Sequence, residues 1–212
     1  MNSIADIRKD YKLRSFTETD ATENPYTQFT NWWDEAIASN IDEVNAMTLA
    51  TVDEQGKPSA RIVLLKGINE NGFEFYTNYE SHKAKEMTAN NKVALVFFWK
   101  ELERQIRIEG TVAKAPVATS DEYFMSRPVE SRIGAWSSPQ SSIIPSREIL
   151  EENVEANKKK FENKEVTRPN FWGGYIVTPT LFEFWQGRSS RLHDRIEYVE
   201  DDGGWVKRRL AP

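Results

Sequence analysis

Ala46-Met-Thr-Leu-Ala-Thr-Val52, Asp53-Glu-Gln-Gly-Lys-Pro58 and Ser59-Ala-Arg-Ile-Val-Leu-Leu-Lys66 follow one another without a break. The first and third runs read as strands, and the Gly- and Pro-bearing segment between them reads as a turn. Asn71-Gly72 is a strong hairpin signal, and residues 73–77 give the next strand. Working outward, residues 93–99, 105–114, 174–178, 181–186, 191–199 and 205–210 read as further strands. Helices are expected from Pro25 onward, at 81–89, at 119–125 and after Ser146. Hairpin links in place of helical crossovers favour a closed antiparallel sheet over a doubly wound one. The fold class is mainly β with flanking helices (α+β), with no internal repeat. Residues 1–23 read as a mobile arm with a short helix over 3–11, and 24–212 as a single domain. From Val129 to Pro145 the chain reads as irregular.

Composition narrows the function. The chain has 212 residues, a net charge of −5, and 12% aromatic residues including seven Trp. That length and apolar content support a real core. Net acidity argues against a general nucleic-acid binder, whose affinity rests on phosphate neutralisation. There is no cysteine, which excludes disulfides, thiolate metal sites and cysteine nucleophiles. His82 and His193 are the only histidines, so a multi-histidine metal centre within one chain is disfavoured. Difficult chemistry would then fall to an organic cofactor. No apolar signal core or membrane-length run is present, so a cytoplasmic protein without membrane association is expected.

The helix from Pro25 carries Phe29, Trp32, Trp33, Ala36 and Ile37 at helical spacing, a packing stripe. The positive residues suggest chemistry. No Gly-x-Gly-x-x-Gly or Walker-type loop is present, so any phosphate would be held by arginine, lysine and hydroxyls. Arg61 and Lys66 bracket four apolar residues, a run expected to be buried on both faces. Five positions apart, they face opposite sides of a regular strand; either a bulge intervenes, or each serves a different group, or both simply reach solvent. Tyr76-Thr77 followed by Ser81-His82-Lys83 combines hydroxyls, a lysine and a helix start. Tyr123, Arg127 and Ser131 are spaced by four, but Pro128 disfavours regular helix at Arg127. In Arg191-Leu-His-Asp-Arg195, alternation places Arg191, His193 and Arg195 on one face of a strand. The same pattern also fits a charged edge strand that discourages pairing.

Together these pieces resemble the pyridoxine/pyridoxamine 5′-phosphate oxidase family. The likeness runs from about Arg8 to Pro212. It includes Arg61-Ile-Val-Leu-Leu-Lys66, Phe75-Tyr-Thr-Asn78, Leu102-Glu-Arg-Gln105, Ser126-Arg-Pro128 and Ile133-Gly-Ala-Trp136. Gln140-Ser-Ser142, Phe171-Trp-Gly-Gly174, Phe184-Trp-Gln-Gly187, Arg191-Leu-His-Asp-Arg195 and Arg209-Leu-Ala-Pro212 complete it. The resemblance implies an FMN-binding split β-barrel, a homodimer with FMN at its interface, and oxidation of pyridoxamine or pyridoxine 5′-phosphate to pyridoxal 5′-phosphate. Oxygen would reoxidise the flavin to give hydrogen peroxide. By the same resemblance Arg61, Ile62, Val63, Leu64, Leu65, Lys66, Tyr76, Thr77, His82, Lys83, Gln105, Gln140, Ser141, Trp185 and Arg195 belong to the FMN site. Arg8, Tyr11, Lys66, Tyr123, Arg127 and Ser131 belong to the substrate site, joined by Arg191 and His193 beside the reacting carbon. His82 departs from the family's usual arginine. An ordinary imidazole titrates near pH 6.5, so the FMN phosphate would be held less tightly as pH rises. A non-catalytic flavin or B6-phosphate binding module on the same barrel is the alternative reading.

Overall fold

The computed structural model describes residues 3–7 and 9–212; the expectation for Arg8 lies outside them. The elements, in order, are α1 (Pro25–Ala38), β1 (Ala46–Val52), β2 (Pro58–Leu64), β3 (Gly67–Asn69), β4 (Gly72–Asn78) and α2 (His82–Ala89). They continue with β5 (Lys92–Trp99), β6 (Arg104–Lys114), α3 (Val117–Ser126), α4 (Val129–Ser137) and α5 (Glu148–Lys160). The chain closes with β7 (Trp172–Gln186), β8 (Asp194–Asp201) and β9 (Gly204–Arg209). Among the described residues the strands form one nine-stranded sheet, with neighbours in the order β2-β1-β5-β6-β7-β4-β3 and β8 joining β7 to β9.

The chain divides into two compact units. One comprises residues 1–49, 94–110 and 179–212; the other comprises 50–93 and 111–178. Both are assembled from separated segments, which is why no boundary shows as a linker in the sequence. In the first unit the end of β7 pairs antiparallel with β8, Trp185 opposite Arg195, and β8 pairs with β9. Its core is aromatic. Phe29, Trp32 and Ala36 of α1 are buried, and Trp32 packs edge-on to Phe184 at 5.3 Å. The expected stripe extends one residue too far, since Ile37 is 51% exposed. Asn24 caps α1 by accepting from the amides of Tyr26 and Thr27, and Pro25 occupies the first turn.

The 1–23 segment belongs to this unit. The helix expected over 3–11 is only a 3-10 turn at Ile4–Asp6, with Ile4 and Ile7 exposed. Three residues cannot bury an apolar face, so spacing alone did not make a helix. Residues 12–23 contain no helix or strand, yet Phe16 is buried and its amide donates to Asp194 Oδ2 at 3.0 Å.

In the second unit β4 pairs antiparallel with the start of β7, Tyr76 opposite Gly174. Residues 174–178 and 181–186, expected as separate strands, are one continuous β7, because no turn residues follow Pro179. The stretch expected to be irregular contains α4, for which Pro128 is the N-cap. Proline disfavours helix at the residue before it and suits the start of a helix after it. Phe124, Ile133, Val166 and Trp172 form the core that holds α3 and α4.

Candidate functional site

The second unit contains a cavity of about 580 Å³. Arg61, Ile62, Val63, Leu64, Lys66, Tyr76, Thr77, Lys83, Tyr123, Arg127, Ser131 and Gln140 all line it, so twelve expected residues from dispersed segments meet there. The parity problem of Arg61 and Lys66 is resolved by the backbone. β2 ends at Leu64, and β3 begins at Gly67, with the Lys66 amide donating to Glu74 O at 2.8 Å. The break between them lets both cations line one cavity. It also turns Leu65 into the core, at 5% exposure, so its side chain does not line the cavity. Burial of the whole apolar run does not occur either: Ile62 is 64% exposed.

One wall is polar. Thr77 Oγ1 donates to Gln140 Oε1 at 2.9 Å, and Lys83 Nζ lies 3.2 Å from that same oxygen and 3.3 Å from Thr77 Oγ1. Burial, then the neighbouring Arg61, pushes the Lys83 pKa down. Arg61 is aimed by a buried carboxylate. Its Nη2 lies 3.1 Å from Glu86 Oε2, and its Nη1 donates to Thr51 Oγ1. Thr51 and Ser59 hydroxyls donate to Glu86 at 2.6 and 2.7 Å. Burial pushes the Glu86 carboxyl up, but these hydrogen bonds and the charges of His82 and Arg61 outweigh it and hold the pKa below its usual value.

The other wall is aromatic and cationic. Tyr76 and Tyr123 stack with centroids 3.9 Å apart, and Trp172 stacks 5.6 Å from Tyr76. The Tyr76 hydroxyl pKa is raised by burial and by Glu74. Arg127 stands between α3 and α4 in extended backbone, so Tyr123, Arg127 and Ser131 do not share one helix face. They converge because the chain turns at Pro128. The guanidinium lies 4.7 Å from the Trp172 ring, its Nη1 buried without a hydrogen-bond partner among the described residues. Burial lowers its pKa.

The first unit has its own cavity, of about 530 Å³, lined by Tyr11, Arg188, Ser190, Arg191 and His193 together with Ile7, Lys9 and Asp10. The expected common strand face of Arg191, His193 and Arg195 is not formed. β8 starts at Asp194, after a 3-10 turn at Ser189–Arg191 in which Ser190 and Arg191 adopt φ of 56° and 62°. Two successive left-handed non-glycine residues cost about 1–3 kcal/mol each. This turn, in place of strand alternation, puts Arg191 beside His193. Arg195 sits in β8, donating from Nε to Glu183 Oε1 at 2.7 Å and from Nη1 to Ala211 O at 2.8 Å. Glu183 is buried and also accepts from Arg107.

His193 has a defined tautomer. Its Nδ1 accepts the Arg188 amide at 3.1 Å, so the neutral ring carries its proton on Nε2. Burial, then Arg191, lowers its pKa, and Asp194 only partly opposes this. Trp185 packs against it at 4.6 Å and Tyr11 at 6.0 Å.

Besides Trp185 and Arg195, four expected residues line neither cavity. His82 turns away to Glu86, at 3.5 Å, and lines a separate hollow with Asp53 and Lys85. Ser141 is exposed with φ of 70°, Gln105 is half-buried in β6, and Leu65 is in the core. Sequence reasoning missed Trp172, Glu86 and Arg188. Trp172 stood inside a quoted motif, and Arg188 fell in the turn expected between the strands at 181–186 and 191–199. Glu86 gave no signal, since a single glutamate in a polar helix resembles any solvated one.

The second unit thus presents a cationic, aromatic cavity on an antiparallel sheet. Residues 33–160 match the family model described as "Pyridoxamine 5′-phosphate oxidase", and 172–212 match "Pyridoxine 5′-phosphate oxidase C-terminal dimerisation region". A pyridoxine/pyridoxamine 5′-phosphate oxidase of Leptospira interrogans is 56% identical, with 99% of this chain and 98% of that one covered. One from Ralstonia nicotianae is 55% identical over the full length of both. The crystal structure of PhzG from Burkholderia lata 383, in complex with tetrahydrophenazine-1-carboxylic acid, superposes with a TM-score of 0.86 at 28% identity, covering 92% of this chain and 95% of that one. The chain belongs to the pyridoxine/pyridoxamine 5′-phosphate oxidase family and has its split-barrel fold. Among the described residues no helix is long and apolar enough to cross a membrane.

Proposed function

We propose that this chain is an FMN-dependent oxidase that converts pyridoxamine 5′-phosphate and pyridoxine 5′-phosphate to pyridoxal 5′-phosphate. With the amine substrate, oxygen and water are consumed, and ammonia and hydrogen peroxide are released; the alcohol consumes oxygen and releases peroxide. The enzyme works as a cytoplasmic homodimer with FMN at the interface. The observation that carries this reading is the charge of the second unit's cavity. Arg61, Lys66, Lys83 and Arg127 line it, and among the described residues no carboxylate does. One Arg127 nitrogen is buried and unpartnered, a costly arrangement unless an anion takes it up. The residues present therefore fit a phosphorylated cofactor and a phosphorylated substrate.

Bound FMN would supply a hydride acceptor and a path to oxygen. Arg61, Lys83, Thr77 and Gln140 would hold it, with the 62–64 edge and Tyr76 beside them and Gln105, Ser141, Trp185 and Arg195 as further contacts. Lys66, Tyr123, Arg127 and Ser131 would grip the substrate phosphate, a handle remote from the reacting bond. Arg191 and His193 would orient the substrate at its reacting carbon. With Nδ1 already accepting a backbone amide, His193 has a donor to offer through Nε2–H. It acts as an orienting hydrogen-bond donor, and the Nδ1 position is closed to proton abstraction.

An aerobic assay with FMN supplied tests the proposal: pyridoxal 5′-phosphate and peroxide should form from pyridoxamine 5′-phosphate in equal amounts. A flavin-loaded protein that binds the substrate and gives neither product would instead establish the non-catalytic binding module.

A further inference from the structure

We propose that Glu103 is a positioning residue, fastening residues 9–13 so that Tyr11 forms a fixed wall of the Arg191/His193 cavity. Its role in turnover rests on the oxidase reading above; its role as a fastening does not. Glu103 lies in the short connection between β5 and β6, with φ of 54°, and its side chain is only 8% exposed. A buried carboxylate in a left-handed backbone is doubly unfavourable unless its oxygens are used. Here they are used by the amino-terminal segment. Oε2 accepts the backbone amides of Lys12 at 2.9 Å and Leu13 at 3.0 Å, and Oε1 lies 3.5 Å from Lys9 Nζ.

The same residue reaches the other side of the cavity through its backbone. Glu103 O accepts the Gly187 amide at 2.7 Å and Gln186 Nε2 at 3.2 Å. Gln186 is fully buried and is itself held by Arg104 Nε at 2.9 Å. Residues 186–187 lead into the turn that carries Arg188, Arg191 and His193. One residue thus ties the 9–13 segment to the base of that turn. Tyr11 is clamped between them. Its ring lies 5.7 Å from Trp185 and 6.0 Å from His193, and a Cβ on Gly187 would fall 2.7 Å from Tyr11 Cγ. The side chain of Glu103 itself is absent from the cavity wall. Its influence passes through the backbone at Lys12 and Leu13.

The test compares Glu103→Ala, Glu103→Gln and Glu103→Asp in the flavin-loaded, full-length enzyme. Glutamine keeps an acceptor for both amides; alanine removes it; aspartate keeps the charge but shortens its reach. The first readout is tryptic cleavage after Lys12, which needs no turnover. Loss of two part-buried hydrogen bonds to a charged acceptor should speed cleavage roughly tenfold to a hundredfold in Glu103→Ala. Glu103→Gln should stay within about threefold of wild type, and Glu103→Asp should fall between. The second readout is the kinetic split: KM for pyridoxamine 5′-phosphate should rise roughly tenfold in Glu103→Ala with kcat within about threefold and flavin content unchanged. Glu103→Ala combined with Tyr11→Ala should be no worse than the poorer single variant, because both remove the same wall. Unchanged cleavage and KM in Glu103→Ala overturn the proposal, as does a fully additive double variant. If Glu103→Ala does not fold, Glu103→Asp carries the same readouts. A wild-type enzyme that makes no pyridoxal 5′-phosphate would sink the oxidase reading alone, since the cleavage series would still report on the fastening.

Discussion

Replacing Arg127 with methionine should make the ligand-free protein slightly more stable and the enzyme markedly worse. The guanidinium sits with Nη1 buried and unpartnered, and burial alone lowers its pKa. An orphaned buried donor costs about 1–3 kcal/mol. Against this stands the contact with the Trp172 face at 4.7 Å, worth about 0.5–2 kcal/mol. Methionine keeps an apolar stem on that ring and removes the orphan. The balance is a gain of about 1 kcal/mol, or a rise in Tm of roughly 2–4 °C for a chain of this length. Binding moves the other way. Charge-assisted hydrogen bonds to a phosphate contribute about 1.5–3 kcal/mol, so KM for pyridoxamine 5′-phosphate should rise roughly tenfold to 150-fold. Thermal melts of phosphate-free protein and steady-state kinetics measure the two halves. A Tm lowered by more than about 2 °C together with a KM within about twofold of wild type would refute the reasoning, for Arg127 would then be a structural residue.

Other consequences can be checked separately. With only two histidines, a His82→Asn variant leaves a single imidazole to follow by NMR, and His193 should titrate below 6.5. Its folded pKa is depressed, so the unfolded state takes up the proton more readily; the associated stability is complete above pH 6.5 and is lost as pH falls through and below it. Adding Arg191→Met should raise that pKa, and an unmoved titration would remove Arg191 as a neighbouring cause. Gly174→Ala would place a Cβ 2.9 Å from the Tyr76 ring and 2.9 Å from Ala115, disturbing the Tyr76–Tyr123 stack. A loss of about 1–3 kcal/mol is expected, with a raised KM. Gly134→Ala in α4, where a Cβ meets nothing within 4 Å, should be neutral or stabilising by up to about 1 kcal/mol. Glu86→Gln should weaken FMN binding roughly tenfold in a fluorescence titration by loosening Arg61, whereas exposed His82→Ala should change it by less than about threefold. A large, pH-dependent effect of His82→Ala would return that histidine to the phosphate site.

Much of this arrangement was legible because local chemistry and tertiary placement agreed. Asn24-Pro25 signals a helix start, Asn71-Gly72 a hairpin, and both occur as expected. Where they failed to agree, the reason is local. Alternation rules apply only within a strand, and the 188–193 segment leaves the strand for a left-handed turn. Neither Ser190 nor Arg191 is a residue type that announces positive φ. Similarly, nothing in Leu64-Leu65-Lys66 marks the break that rotates Leu65 inward and Lys66 toward Arg61. Tyr123, Arg127 and Ser131, spaced by four, line one cavity although no single helix carries them, because Pro128 ends one helix and begins the next.

The buried carboxylates sort the arginines into two kinds. Arg61 is bonded to Glu86, and Arg195 to Glu183; each is aimed, and each has its charge largely answered within the fold. Among the described residues Arg127 has no carboxylate partner, and its Nη1 is buried without a hydrogen bond. In the cavity of the second unit, the net positive charge available to anions therefore comes mainly from Lys66, Lys83 and Arg127. This makes the Glu86→Gln experiment a contest between two effects. Neutralising Glu86 unmasks the charge of Arg61, which by Coulomb attraction alone would tighten FMN binding. It also releases the guanidinium from the geometry that Thr51, Ser59 and Glu86 impose together, and paired hydrogen bonding to phosphate depends on that geometry. The carboxylate is 4% exposed and accepts from three side chains, so the orientation it enforces is over-determined, whereas the charge of Arg61, itself 21% exposed, is partly screened by solvent. Orientation should therefore outweigh charge, and the affinity should fall; a tighter complex would show that Glu86 restrains the cofactor site instead of ordering it.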